Sequence, residues 1–248
     1  MVDKMSIKMK TTLLLTLAFL LCGTVVIAQE PQKQEQKQAD PASKLVQFQM
    51  AILKRGPNWP ANPGANADLQ QKHIAYVTSM VESGKLALVG GIKDDKELVA
   101  VFIYRTKSAE EAQGWLAGDP GVAAGHVVAE WHPWWSEDVM KKVTTLEPKF
   151  TTAYLAFLTR GDKWTAERTP ATEAIQKAHL ANIQRLADEK KLVVAGPFGD
   201  NGRLRGIFIF KVASIDEARS LAATDPAVQA GRLALEIHPL MVPEGILP

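Results

Sequence analysis

The chain has 248 residues, of which 46% are hydrophobic and 23% charged, and its formal net charge is +2. This composition is typical of a globular protein rather than a disordered or fibrous one. The near balance of charge argues against nucleic acid or an anionic membrane surface as a partner, and the single cysteine excludes a disulfide within the chain.

The first 28 residues have the features of a secretory signal peptide. Three lysines precede an apolar run over residues 13–27, and small residues occupy the −3 and −1 positions of a cut after Ala28. The cut would remove three Lys and one Asp from 29 basic and 27 acidic residues, leaving 26 of each and no cysteine. We therefore expect a periplasmic or secreted protein with no membrane segment after cleavage. An uncleaved anchor and a lipid anchor on Cys22 are the alternatives.

Residues 29–44 consist mainly of Gln, Lys, Glu, Ala and Pro, which predicts a disordered linker. The remainder is an internal duplication. The repeated residues lie at Arg55, Trp59, His73, Asp119, Glu130 and His132 in the first copy and at Arg160, Trp164, His179, Asp225, Glu236 and His238 in the second. From the histidine of the helix onward the two copies are 106 residues apart. The sequence thus predicts two similar domains, residues 45–145 (the first half) and 146–248 (the second half).

In chain order, the first half begins with an alternating strand at 46–52, followed by a loop and an amphipathic helix that carries His73. Strands at 86–91 and 98–104 follow, joined by a turn at Asp94 and Asp95. A second helix ends before the Asp119-Pro120 pair, and a last strand passes through Glu130. The second half repeats this order, with its first three strands at 152–158, 192–196 and 204–210.

Each half therefore has the β-α-β-β-α-β order of a ferredoxin-like domain, which makes the fold class α+β. Helices on one side of each sheet leave its other face uncovered. The two sheets can cover each other's faces, so we expect an intramolecular dimeric α+β barrel. Self-association of the whole chain stays open.

Several segments are similar to the YCII-related family. In the second half they are the Lys-Ala-His-Leu-Ala run at 177–181 and residues 192–197 and 225–231; in the first half 72–75, 90–91 and 119–125 match more loosely. The resemblance implies the dimeric α+β barrel fold and a histidine and an aspartate in a cleft, with proton transfer or dehydrohalogenation attached to a few members. Because only the second half keeps the family's Gly-Pro pair, at Gly196 and Pro197, we expect its site to be the more important one.

The candidate catalytic residues form two pairs: His73 with Asp119 (the first dyad) and His179 with Asp225 (the second dyad). In such a dyad the carboxylate holds one ring nitrogen and leaves the other free to act as a base. The alternative is a pair of structural histidines, each satisfied by an acid at a helix end.

An arginine and a tryptophan four residues apart occur in both halves, as Arg55 with Trp59 and Arg160 with Trp164. A guanidinium group and an aromatic ring together could hold a small carboxylate, which predicts an anionic small-molecule ligand. A loop that folds its own tryptophan over the core is the alternative.

The sequence predicts no metal and no cofactor. Glu130 with His132, and Glu236 with His238, could each supply two metal ligands from one strand face, but no third ligand occurs at a characteristic spacing. Phosphate-binding loops and serine-hydrolase or zinc-protease motifs are missing from the sequence. His126, whose counterpart is Arg232, is interpreted as a surface residue.

Two functions are compatible with these features. The first is a cofactor-free lyase or isomerase that uses a dyad as base on a small organic acid. The second is a non-catalytic periplasmic module that binds a small ligand or serves a structural role.

If the signal peptide is cut after Ala28, the mature protein begins at Gln29 or close to it. Intact-mass analysis of the exported protein checks this expectation. A mature chain that begins at a lipid-modified Cys22 would contradict it.

Overall fold

The structure is a computed structural model that describes residues 44–62, 66–143 and 149–248. The signal peptide and nearly all of the linker lie outside these residues and stay predictions. The boundary between the two halves, at 145 and 146, also falls outside them. Among the described helices, none is both long enough and apolar enough to span a membrane.

Each half contains the predicted elements in the predicted order, with one short helix added before its last strand. The first half comprises β1 (Val46–Arg55), α1 (Ala67–Glu82), β2 (Leu86–Ile92), β3 (Leu98–Tyr104), α2 (Ala109–Ala117), α3 (Pro120–Ala123) and β4 (Val127–Ser136). The second comprises β5 (Phe150–Arg160), α4 (Pro170–Asp188), β6 (Leu192–Pro197), β7 (Leu204–Phe210), α5 (Ile215–Ala222), α6 (Pro226–Gln229) and β8 (Leu233–Pro243).

Proline and small polar residues determine where the helices begin. Pro170 occupies the first turn of α4, and the Thr169 hydroxyl caps that helix by accepting a hydrogen bond from the Thr172 amide. Asp119 and Asp225 precede prolines and adopt extended backbone, with ψ of 124° and 122°. Each of these aspartates caps the short helix that follows, so its side chain is fixed at one place beside the sheet.

All eight strands form one antiparallel sheet in the order β4-β1-β3-β2-β8-β5-β7-β6. Each half thus contributes four strands in the same order, which confirms two ferredoxin-like halves. They meet where β2 pairs with β8, through Gly91 with Met241 and Ile92 with Leu240. The two outer edges also meet, because Trp134 of β4 forms an antiparallel bridge with Phe198, next to β6. The sheet is therefore curled. In one contact β8, the last strand of the second half, pairs with β2; in the other β4, the last strand of the first half, meets the residue that follows β6.

The contact between β4 and the end of β6 depends on a close backbone approach. Trp134 is fully buried, packs against Phe48 and donates a hydrogen bond from Nε1 to the Gly196 carbonyl at 3.0 Å. A Cβ atom on Gly196 would lie 1.8 Å from the carbonyl oxygen of Trp135. Only glycine can occupy position 196 without moving one strand away from the other.

We expect Gly196→Ala to lower the free energy of unfolding by at least about 1–3 kcal/mol, the usual cost of inserting a methyl group into packed structure. The control is Gly114→Ala in α2, where an added Cβ meets no atom within 4 Å. That substitution should be stabilising by about 0.5–1 kcal/mol, because alanine is the better helix former. Urea unfolding of both variants measures the difference, and equal effects would contradict the close approach.

Candidate functional site

The first dyad is formed by α1 and α3. His73 Nδ1 lies 2.8 Å from Oδ2 of Asp119 and 3.0 Å from Oδ1. The Asp119 carboxylate is buried and also accepts a hydrogen bond from the Gly121 amide at 2.7 Å. The carboxylate therefore holds one ring nitrogen of His73 and leaves Nε2, which has no hydrogen-bond partner within the described part of the chain.

The second dyad repeats this geometry. His179 Nδ1 lies 2.6 Å from Oδ2 of Asp225, and Oδ1 of Asp225 accepts a hydrogen bond from the Ala227 amide at 2.8 Å. The imidazole is stacked on Phe208, with centroids 6.1 Å apart and 22° between the planes. The His179 side chain is 12% exposed, whereas that of His73 is 31% exposed. The structure thus brings together both predicted pairs, and it leaves the first one more accessible.

A cavity of about 430 Å³ lies beside His73. Its wall is mainly aliphatic and aromatic, and residues of the second half complete it. The wall includes Leu53, Val77, Val89, Val99, Phe102, Phe150 and Met241. A few polar side chains share the wall, among them His73, Gln70, Thr78 and His126, but none of its described residues carries a carboxylate, an ammonium or a guanidinium group. His126, interpreted from the sequence as a surface residue, is half-buried and lies in this wall.

Tyr76, three residues after His73, lies near the first dyad without being a base. Burial, together with the negative charge of Asp119, raises the pKa of Tyr76 above its ordinary value. Its hydroxyl donates a hydrogen bond to the Trp115 carbonyl at 2.5 Å. His73 and His126 are thus the two imidazoles in the cavity wall that can exchange a proton with a bound molecule, and His73 is the one whose Nδ1 is held by a carboxylate.

In each half the arginine is stacked on the tryptophan four residues later. Of the two tryptophans, only Trp59 lines the cavity. The guanidinium carbon of Arg55 lies 5.0 Å from the centroid of Trp59, and Trp59 lines the cavity whereas Arg55 does not. Arg160 lies 5.5 Å from the centroid of Trp164. Arg55 is consequently not placed to hold a carboxylate inside the cavity beside His73.

In the second half, two further arginines surround the same tryptophan. Arg205 and Arg232 lie 4.7 and 5.3 Å from the centroid of Trp164. Burial, together with the charge of Arg160, lowers the pKa of Arg205. The counterparts of Arg205 and Arg232 in the first half are Val99 and His126, both of which line the cavity. Sequence reasoning missed Arg205, although position-by-position comparison of the two halves would have found it.

The Glu-His pairs of the last strands contact acids from the opposite half. His132 on β4 has Nδ1 2.5 Å from Asp200 and Nε2 3.0 Å from Glu130. His238 on β8 has Nδ1 3.2 Å from Asp94 and Nε2 3.4 Å from Glu236. Asp94 and Asp200 belong to the turns between the second and third strands of each half, and the sequence assigned Asp94 only a turn role. Each Glu-His pair therefore has a further acid beside it, which comes from the opposite half and not from a characteristic spacing in the sequence.

Comparison with solved structures finds similar folds. The chlorite dismutase from Candidatus Nitrospira defluvii in complex with imidazole matches with a TM-score of 0.53 and 12% identity, over 79% of this chain and 91% of that chain. A heme-binding protein from Thermus thermophilus matches with a TM-score of 0.51 and 12% identity, over 80% of this chain and 92% of that chain. At such low identity these similarities show the fold alone.

The sequence has no significant match among curated proteins. A sequence profile of the YCII-related domain matches it twice, at residues 49–132 and 154–240. These two segments contain both dyads and all eight strands, apart from a few strand ends. The chain belongs to the YCII-related family and carries two copies of its domain in tandem.

Proposed function

We propose that the first half binds a small, mainly apolar organic molecule in the cavity beside His73, and that His73 removes a proton from it as a general base. The observation that carries this proposal is that Asp119 occupies Nδ1 of a histidine whose side chain lines an apolar cavity. The reaction class is proton transfer at an activated carbon, as in an isomerisation or an elimination.

The contacts of Asp119 support the role of His73 as a base. The Asp119 side chain is 2% exposed and is bonded to both the Gly121 amide and His73. A carboxylate fixed in this way keeps the imidazole in one tautomer and stabilises the imidazolium that forms when Nε2 takes a proton. Asp119 is thus a positioning residue, and His73 is the one that would contact the substrate.

The cavity wall supports a neutral substrate rather than the predicted anion. An anion would have to be desolvated without a cation beside it, because no charged side chain is among the described wall residues. A carbonyl compound with an apolar body fits better, since Gln70 and Thr78 can bond its oxygen while the aliphatic wall covers the rest.

Comparison of the two halves supports the first one as the reactive site. His179 is more enclosed than His73 and is covered by Phe208, and Arg205 replaces the cavity residue Val99. The proposal therefore departs from the sequence expectation, in which the Gly196-Pro197 pair favoured the second half. We further propose that the protein works outside the cytoplasm, on the basis of the signal-peptide features of residues 1–28.

A second candidate function is ligand binding without chemistry. It is favoured by the predominance of aliphatic side chains in the wall, which is typical of sites that bind by apolar burial. Both functions use the same cavity, and they differ in whether His73 is needed after the ligand is bound.

The two functions can be separated with neutral carbonyl compounds of suitable size, screened by NMR and thermal shift. We expect Val99→Arg to abolish binding, because it introduces the arginine of the second half into the cavity. His73→Gln should retain binding within about threefold but slow deuterium exchange of the ligand's acidic C–H by about 100-fold or more. The matched control, His179→Gln, should change neither.

The outcomes decide between the candidates. Binding without exchange in the unmodified protein supports the non-catalytic function, and binding that survives Val99→Arg contradicts the location of the site. Haemin belongs in the panel because one protein of similar fold is a heme-binding protein. A haem absorption spectrum that depends on His73 would identify this histidine as an iron ligand and contradict its role as a base.

The dyads can be tested separately from function. Asp119→Asn keeps an oxygen for the helix cap but replaces the carboxylate partner of His73, so we expect the 15N signals of the His73 ring to change and those of His179 to stay in place. Asp225→Asn should give the reverse result. Long-range 1H–15N spectra of the imidazoles measure both. A variant in which neither histidine responds would show that the dyad is not formed in solution.

A further inference from the structure

We infer that Asp95, Glu236 and His238 form a binding site for a divalent transition-metal ion, with Zn²⁺ as the best-matched ion. One potential ligand atom from each of these three residues lies within 4.8 Å of the other two. The site is separate from both dyads and joins the two halves, because Asp95 lies in the turn between β2 and β3 whereas Glu236 and His238 lie on β8.

The contacts of His238 are those of a metal-binding histidine. Its side chain is 8% exposed, and its Nδ1 lies 3.2 Å from Asp94. Histidines that bind metals commonly donate the N–H of the other ring nitrogen to a carboxylate, which orients the ring. With Nδ1 donating to Asp94, the lone pair of Nε2 is directed toward the Glu236 carboxylate 3.4 Å away. Two acceptors that face each other in this way are stabilised by a metal ion or a proton between them.

Asp95 supplies the third ligand. One of its oxygens, Oδ1, accepts hydrogen bonds from the Glu97 and Leu98 amides at 2.6 and 2.7 Å. These bonds fix the carboxylate in the turn and leave Oδ2 available. One imidazole and two carboxylates, with room for water, suit Zn²⁺ better than Mg²⁺ or Ca²⁺, which prefer sites made of oxygen alone.

The corresponding Glu-His pair on β4, Glu130 and His132, has a lysine beside it. There, Nζ of Lys54 lies 2.6 Å from Glu130, the counterpart of Glu236. The site on β8 has Thr159 where the place on β4 has Lys54, and the place on β4 faces Asn201 of the opposite half where the site on β8 faces Asp95. Compared with the place on β4, the site on β8 therefore has one ammonium group fewer and one carboxylate more, so a bound cation would replace the missing positive charge.

Arg55 is a charged residue whose field reaches the site. Its charge acts on Asp95, but its guanidinium group is stacked on Trp59, and it forms no ion pair with Asp95, Glu236 or Asp94 in the part of the chain that the structure describes. The competing arrangement is an imidazolium form of His238 that donates to both Asp94 and Glu236. In that arrangement a proton takes the place of the metal.

The test is isothermal titration of Zn²⁺ into the untagged, chelator-treated mature protein. We expect one site, and we expect Asp95→Asn and His238→Gln each to weaken binding by more than about 100-fold, the upper end of what is lost when a residue that only orients a metal ligand is changed. The control His132→Gln changes the corresponding histidine of the first half and should leave binding unchanged. Absence of a Zn²⁺ site in the unmodified protein, or equal binding by Asp95→Asn and His238→Gln, would overturn the inference in favour of the protonated histidine.

A second set of variants gives each of the two Glu-His sites the charges of the other. Thr159→Lys should abolish Zn²⁺ binding by supplying an ammonium group, and the double variant Lys54→Thr with Asn201→Asp should raise the number of bound ions from one to two. Circular dichroism establishes that each variant is folded. If Thr159→Lys does not fold, the double variant still decides, since an unchanged number of ions would contradict the comparison on which the site rests.

Discussion

The rest of the structure depends on two contacts between the halves. In each, the last strand of one half meets the second strand of the other half or the residue that follows it. A four-stranded sheet with helices on one side leaves an apolar face and two strand edges without partners. Pairing of β2 with β8, together with the bridge from β4 to Phe198, satisfies both needs within one chain. The same contacts carry the turn acids Asp94 and Asp200 to the histidines of the opposite half. The β2–β8 contact also contributes to the cavity beside His73, since Gly91 and Met241, which pair there, both line it.

This symmetric frame has allowed the halves to diverge in chemistry while keeping one fold. The differences that matter for the two sites lie near strand ends: Val99 and His126 against Arg205 and Arg232, and Lys54 against Thr159. An aliphatic residue at position 99 leaves space beside His73, whereas guanidinium groups surround Trp164 at the corresponding place.

The sequence predicted those features whose determinants are local. Alternation along the strands and the Asp-Pro pairs gave the order of elements, because period and helix termination depend on neighbouring residues. The pairing of His73 with Asp119 was predicted on the same basis and on the family resemblance, since both members lie in one half. The contacts of His238 with Asp94 and the proximity of Asp95 could not be predicted, because they depend on how the sheet closes between residues more than 140 positions apart. Likewise, nothing local to Arg55 or His126 indicates that only the histidine lines the cavity.

The accessibility of the two dyad histidines tests the central claim, that the halves share a fold but only the first presents a reactive imidazole. Diethyl pyrocarbonate modifies accessible imidazole nitrogens, and peptide mass spectrometry gives the rate at each histidine. The account predicts that His73 reacts several times faster than His179, and that Val99→Arg slows the reaction at His73 alone. A rate at His179 equal to or higher than that at His73 would contradict it.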